Sequence, residues 1–298
     1  GAGHGSNNWV VGPEKSKSGG AMLCNDPHLR MNLPSVFYLM HLAAGEESAA
    51  PSYETWGASM PGLPCIQLGE NRHIAWGITA ALCDDVELYR ERIHRIERDR
   101  YLAGQEWHQF AQRREVIVIR GGKSIERIVR SSRHGPIISD FTSAETSGEV
   151  LALRWCSTQA SRESHSVYQL NQARDWQEFL FALSYHSAPS LNFIYADRSG
   201  NIGYALAGII PKRRAEPSLL PLAGWQEAND WRGYIPFEEL PRLYNPPSGF
   251  IATANNRIVD ATYPYYLSNF FEPPQRIRRI NQLLQAQERF SAEDLAKL

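Results

Sequence analysis

The chain has 298 residues, 43% of them hydrophobic and 21% charged, with a formal net charge of −1 at pH 7. That balance supports a folded chain with a sizeable core and excludes a disordered one. It gives no electrostatic case for nucleic acid or an anionic membrane surface, and no run approaches the roughly 20 apolar residues of a membrane helix.

The first half is rich in short β-type runs: "NWVV", "AMLC", "CIQLG", "IAWGIT", "DVELY", "REVIVI", "SIERIV" and "VLALRW", separated by Gly, Pro, Asn and Asp. "VIRGGKSI" (118–125) predicts a hairpin with Gly121-Gly122 in a primed turn. From about 165 to 186 the period lengthens: Val167, Leu170 and Ala173, then Trp176, Phe179, Leu180 and Leu183, fall at helical spacing. Asp175 with Glu178 supplies an N-cap signature for the second helix. "NFIYADRSGNIGYALAG" (192–208) reads as a hairpin turning at "DRSGN", and 209–250 as a long ordered excursion. A strand, "GFIATANN", and a helix, "PPQRIRRINQLLQAQ", follow. "FSAEDLAKL" opens a last helix, with Ser291 as cap and Asp294 in a capping-box position, and the sequence stops there like part of a longer chain. The arginine runs at 113–115 and 275–279 read as solvated faces. Cys24, Cys65, Cys83 and Cys156 lack metal-type spacing and admit two disulfides, one or none. The class is α+β, as one domain.

The chemistry begins at Ser6, in "GAGHGSNNWVVG". An internal serine is too weak a nucleophile without an adjacent base, and the flanking residues do not make the G-x-S-x-G elbow. Cleavage of Gly5-Ser6 would change that. The freed α-amine, with a pKa near 7.7–8.0, is a general base covalently fixed beside the hydroxyl. Glycine at position 5 gives the backbone freedom and room for that attack.

Three further stretches carry histidine or side-chain amides at strand ends: "CNDPHL" (24–29), "PGLPCIQLGENRHIAWGITAALCDD" (61–85) and "IATANNR" (251–257). With "SNNWVVG", "YADRSGNIGY", "YNPPSGFIATANN" and "RIRRINQLL", they resemble the penicillin acylase family of N-terminal nucleophile hydrolases, in order and spacing, over essentially the whole chain. The resemblance implies a four-layer αββα fold, incomplete here. Residues 1–5 would end a spacer peptide, and 6–298 would be the N-terminal nucleophile hydrolase domain, a β-chain portion truncated at its C-terminus.

It also implies roles. Ser6 would be the nucleophile, freed by autocatalytic cleavage at Gly5-Ser6, and its amine the base. His28 would hydrogen-bond at the nucleophile's end of the site. The backbone N–H of Ala80 and the side-chain amide of Asn255 would form the oxyanion hole, and Arg276 would orient the asparagine and the amine. Taken singly, His28 reads as a strand-end histidine, Asn255 and Asn256 as turn residues, and Arg276 as a solvated helix residue. A structural calcium is implied at Asp84, the Val86 carbonyl, Glu87 and the Pro217 carbonyl, oxygen donors that suit the ion. However, "ATYPYYLSN" offers no carboxylate where a further one would fall. No other cofactor is required.

The implied activity is hydrolysis of a linear amide in an N-acylated small molecule, a β-lactam side chain or an acyl-homoserine lactone, through an acyl-enzyme. The implied partner is an α chain from the same precursor, and the implied location the periplasm or outside the cell. Phe37, Tyr38, Trp56 and Phe193 favour an apolar acyl group, and histidine rather than glutamine at position 28 tilts the choice toward aliphatic chains. Two rivals stand beside this reading. One is a catalytically silent binding module on the same fold, with Ser6 uncut. The other is a metal-assisted hydrolase using Asp26, His28, Asp84 and Asp85, which lacks the usual ligand spacing.

Overall fold

The computed structural model describes residues 5–45, 52–142, 148–158, 161–213 and 218–298. Close packing divides the chain into two units, where the sequence reads as one domain. The first unit takes residues 1–84, 160–210 and 235–298; the second takes 85–159 and 211–234.

In the first unit, β1 (Gly5–Val11), β2 (Met22–His28), β3 (Tyr38–Ala44), β4 (Tyr53–Ser59), β5 (Leu68–Asn71) and β6 (Ile74–Ala80) lead the chain. The second unit holds β7 (Val86–Glu91), β8 (Arg100–Ala103), β9 (Glu106–Gln109), β10 (Ala111–Ile117), β11 (Ile125–Ser132), β12 (Gly135–Pro136) and β13 (Val150–Trp155). The chain returns to the first unit with α1 (Glu163–Leu170), α2 (Trp176–Leu183), β14 (Leu191–Asp197) and β15 (Ile202–Ala207). After β16 (Leu222–Ala223) in the second unit come β17 (Arg242–Tyr244), β18 (Phe250–Thr253), α3 (Gln275–Ala286) and α4 (Ala292–Ala296).

Two sheets make the heart of the first unit: β18-β1-β2, and β17-β15-β14-β6-β5-β4-β3. Their layering follows from side-chain alternation along the strands. Val10 of β1 meets Ile194, Ile202, Tyr204 and Leu206 of the larger sheet, forming the core between the sheets. The neighbours Trp9 and Val11 point the other way, onto Ile280, Leu284 and Leu295 of α3 and α4. Phe193 and Tyr195 of β14 likewise turn to Leu170, Trp176, Phe179 and Leu183 of α1 and α2. The order is helix, sheet, sheet, helix, the αββα arrangement that the family resemblance implies. Strands covered on both faces read as unbroken apolar runs, which is why "NFIYA" and "IGYALA" carry so little polarity.

A polar seam crosses the core between the sheets. Tyr204 Oη donates to Asn192 Oδ1 at 2.8 Å, and Asn192 Nδ2 to Thr79 Oγ1 at 3.1 Å. Thr79 Oγ1 lies 2.6 Å from Thr253 Oγ1, which donates to Asn8 Oδ1 at 2.6 Å. Each group passes a bond to the next, as buried polar atoms favour, and the chain ends at Asn8, whose buried Nδ2 has no partner among the described residues.

The helix termini match their sequence signals. The Asp175 carboxylate accepts from Gln177 and Glu178 N–H, and Ser291 with Asp294 forms a complete capping box. The 118–125 hairpin differs: β10 and β11 are joined by seven residues, 118–124, with Gly121 alone left-handed at φ +74°. None of Cys24, Cys65, Cys83 and Cys156 is in a disulfide. Among the described residues no helix is long and apolar enough to cross a membrane.

The second unit has its own core, around Tyr89, Tyr101, Phe110, Ile137 and Ala152. It is separate because 85–159 pairs mostly within itself, a grouping that periodicity alone does not mark. Beside that core His134 lies stacked on Tyr89 at 3.8 Å. Its Nδ1 is 2.8 Å from Glu91 Oε1 and its Nε2 is 2.9 Å from Asp230 Oδ1, so both ring nitrogens face carboxylates. The substitution His134→Gln, which reaches only one of them, is expected to cost about 1–3 kcal/mol. A urea-unfolding midpoint equal to that of the wild type would show that the clasp does not stabilise the unit.

Candidate active site

Ser6 lies on β1, the middle strand of β18-β1-β2, opposite Pro27 of β2 and before the stretch that pairs with β18, and is 9% exposed. Its backbone N–H donates to Asn255 Oδ1 at 2.7 Å. Asn255 follows the end of β18 with φ +59°, a left-handed conformation that asparagine tolerates better than most residues. The turn aims its amide back at β1, and Asn255 Nδ2 donates to the Ala80 carbonyl at 2.8 Å. The Ser6 backbone and Ala80, which belong to different sheets, thus meet at one buried side chain.

Arg276 completes the cluster. Its Nη1 donates to the Ser6 carbonyl at 3.0 Å and to Asn7 Oδ1 at 2.8 Å, and its Nη2 to Asn255 Oδ1 at 3.0 Å. A cation in the first turn of a helix opposes the helix dipole. Here two acceptors on β1 and one in the turn after β18 offset that, with the Glu272 carboxylate 3.8 Å away. Gly5 is packed against the same group. A Cβ there would come within 2.9 Å of Arg276 Nη2 and 3.1 Å of Asn255 Oδ1. Close approach, rather than a left-handed backbone, is what makes position 5 glycine.

His28 stands across the ladder from Gly5. Its Nε2 lies 2.6 Å from Asp26 Oδ2 and a longer 3.4 Å from Asn7 Nδ2. The shorter contact makes Nε2 the donor to Asp26. The structure therefore gathers Ser6, Asn255, Arg276 and Ala80 tightly, and His28 beside them.

It also adds residues that the sequence reading left out of this cluster. Asn7 couples Arg276 to β1, and Asp26 holds His28. Asn25 spans the sheets, donating from Nδ2 to the Asn7 carbonyl at 3.2 Å and to the Ile78 carbonyl at 3.0 Å. The signal was present as paired polar residues in "SNNW" and "CNDPH", on strands otherwise apolar.

An apolar cavity of about 490 Å³ opens beside β6, lined by Phe37, Met60, Leu63, Ile78, Val167 and Leu191 among others. Ile78 is two residues from Ala80 and so shares its side of the strand, and Leu191 is the ladder partner of Ala80. Of the aromatic residues expected at an acyl site, Phe37 lines this cavity; Tyr38, Trp56 and Phe193 do not, and Phe193 is core.

His186 forms part of the cavity wall, its Nε2–H donating to the Pro189 carbonyl at 2.7 Å. Burial holds its pKa below the ordinary value of 6.5. A depressed histidine favours folding above the unfolded pKa, and that contribution is lost as pH falls through 6.5 toward the folded value. The urea midpoint is expected to drop more from pH 7 to 5 in wild type than in His186→Gln. Equal slopes would remove His186 from the acid response.

The residues implied for calcium are placed differently. The Asp84 carboxylate accepts from Tyr266 Oη at 3.3 Å, and its N–H donates to the Leu267 carbonyl at 2.7 Å. In the second unit Glu87 and the Val86 carbonyl accept from Arg213. Pro217 lies outside the described residues. No three His, Cys, Asp or Glu side chains among the described residues group as a metal site, so the set of Asp26, His28, Asp84 and Asp85 is not assembled.

Known proteins share this architecture. The chain is 31% identical to the acyl-homoserine lactone acylase QuiP of Pseudomonas aeruginosa, across 98% of this chain and 35% of that protein. It is 32% identical to the penicillin acylase 2 proenzyme of Pseudomonas sp. strain SE83, across 100% of this chain and 37% of the proenzyme. It superposes on the thermostable penicillin G acylase of Alcaligenes faecalis with a TM-score of 0.82 at 26% identity, covering 97% of this chain and 50% of that one. The chain thus spans about a third of the length of these curated relatives. The penicillin amidase family model matches residues 2–298, and the chain belongs to that family.

Proposed function

We propose that the protein is an amidohydrolase that releases a carboxylic acid from a linear N-acyl amide, using Ser6 as an N-terminal nucleophile freed by cleavage of Gly5-Ser6. The observation that carries this is the convergence of Asn255 and Arg276 on the backbone of Ser6. In the continuous chain the Ser6 nitrogen is a peptide N–H bonded to Asn255 Oδ1. Cleavage converts it to an amine in the same cradle, with Asn255 Oδ1 itself fixed by Arg276. The nearby guanidinium disfavours a second positive charge and keeps the amine a free base.

The amine then takes the proton of Ser6 Oγ through a water as Oγ attacks the amide carbon. The tetrahedral oxyanion is met by Ala80 N–H and the Asn255 side-chain amide, donors of a kind worth about 2.7–4 kcal/mol each. The intermediate collapses to an acyl-Ser6 ester, and the protonated base passes its proton to the departing amine. Water, deprotonated by the same amine, attacks the ester; the acid leaves and Oγ regains a proton. The cavity beside Ile78 and Leu191 takes the acyl group, and its apolar lining suits an aliphatic or aromatic chain. A β-lactam side chain and an acyl-homoserine lactone both fit this class, as the names of the relatives suggest. An α chain from the same precursor and a periplasmic or secreted location belong to the same proposal.

The test is intact mass and N-terminal sequencing of the protein expressed from its full-length gene, with hydrolysis assays on both amide types. A chain beginning at Ser6 that releases the acid is expected. An uncut chain that binds an N-acyl amide without turnover would instead establish the silent binding module.

A further inference from the structure

The second unit carries a buried cation where a calcium ion is implied. The Arg213 side chain is 6% exposed, and its Nε donates to Glu87 Oε2 at 3.0 Å while Nη2 donates to the Val86 carbonyl at 3.3 Å. These acceptors are two of the oxygens assigned to the metal. Arg213 stands four residues before Pro217, close in sequence to the carbonyl assigned to the ion. The planar fork of guanidinium suits a carboxylate and a carbonyl lying side by side.

The surroundings reinforce it. The Arg213 guanidinium lies 5.8 Å from the centre of the Trp231 ring. Arg154, the ladder partner of Glu87, holds its own guanidinium 4.5 Å from the same ring. A divalent ion on Glu87 and the Val86 carbonyl would have to expel Arg213 from both acceptors, stranding a buried charge, or share one carboxylate with it. Either is costly in a site with little water. As built, these donors do not fit calcium.

We propose that Arg213 is the resident cation of this site and that the unit holds together here without a metal. The guanidinium supplies the positive charge that ties the start of β7 to the 211–234 segment.

The test uses the protein expressed from its full-length gene, stripped with EDTA, with thermal unfolding followed in EDTA and in excess CaCl₂. The wild type is expected to melt at the same temperature in both. Arg213→Met is expected to melt lower in EDTA and to recover part of the difference in calcium, the divalent ion now reaching Glu87. A wild type that loses stability in EDTA and regains it with calcium, in a response abolished by Glu87→Gln, would overturn the proposal. So would an Arg213→Met protein as stable as wild type under both conditions. Should Arg213→Met fail to fold, the wild-type pair and Glu87→Gln still decide.

Discussion

Ser6→Ala is expected to remain one uncut chain and to lose hydrolysis by on the order of 10⁶-fold, the scale on which removal of a serine nucleophile acts elsewhere. The size of the effect comes from one atom with two tasks. Under the proposed mechanism Oγ attacks the Gly5 carbonyl during maturation and the substrate carbonyl afterwards. Without the first event the base never exists, because the Ser6 nitrogen stays a peptide N–H bonded to Asn255. Alanine keeps the β1 ladder, and the 9% exposure of Ser6 leaves little hydration to change, so the fold is expected to survive. Circular dichroism and intact mass of the variant beside wild type check both halves. Cleavage at Gly5-Ser6 in the alanine variant would sink the self-processing mechanism.

Removing the Asn255 amide is expected to lower kcat about 10²–10³-fold with a much smaller change in KM. The left-handed backbone at this position decides the choice of variant. Alanine at φ +59° would add strain of roughly 1–2 kcal/mol, whereas glycine adopts that conformation freely. Asn255→Gly therefore isolates the amide. It deletes the acceptor shared by Ser6 N–H and Arg276 Nη2 together with the donor near Ala80. Maturation is expected to slow as well, since the same cradle holds the peptide to be cut. If the glycine variant matures and turns over at the wild-type rate, Asn255 contributes nothing to the transition state.

The four-layer order came from the family resemblance, and the caps at Asp175 and Ser291 announced their helices; that β1 carries Val10 to one face and Trp9 and Val11 to the other emerged only in the structure. The boundary of the second unit was not legible. It depends on which strands pair, and the DVELY run at β7 looks like any other strand until β13 and β16 are seen beside it. At the site, Ser6, His28, Ala80, Asn255 and Arg276 were assigned through the family resemblance, which rests on the order of several motifs, since none points to its role alone. Asn7 and Asn25 entered only through geometry, and Asp26, read from the sequence only as a ligand of the rival metal set, is placed instead as the partner of His28. The amide of Asn25 reaches a strand 53 positions away, which no local spacing records. Arg213 was hidden for the converse reason: the motif around it pointed to oxygen donors, and the sequence gives no sign that a side chain four residues earlier turns in to meet them.

Asn25 has a consequence for how this protein tolerates change. The Ser6 strand and the Ala80 strand lie in separate sheets, so no ladder of backbone bonds fixes their relative height. Side chains do so instead: Asn25 joins the links that run across the sheets from Thr79 through Thr253 to Asn8 and from Asn255 to Ala80. Gly77 makes room for Asn25, since a Cβ at position 77 would lie 2.6 Å from Asn25 Oδ1. That oxygen accepts the Ile78 N–H, and the Asn25 amide nitrogen serves two carbonyls, so the side chain has nowhere to retreat. Positions 25 and 77 are therefore a single unit of variation. A larger residue at 77 requires a smaller one at 25, and the pair can drift in sequence only together, at the cost of the spacing on which the site depends.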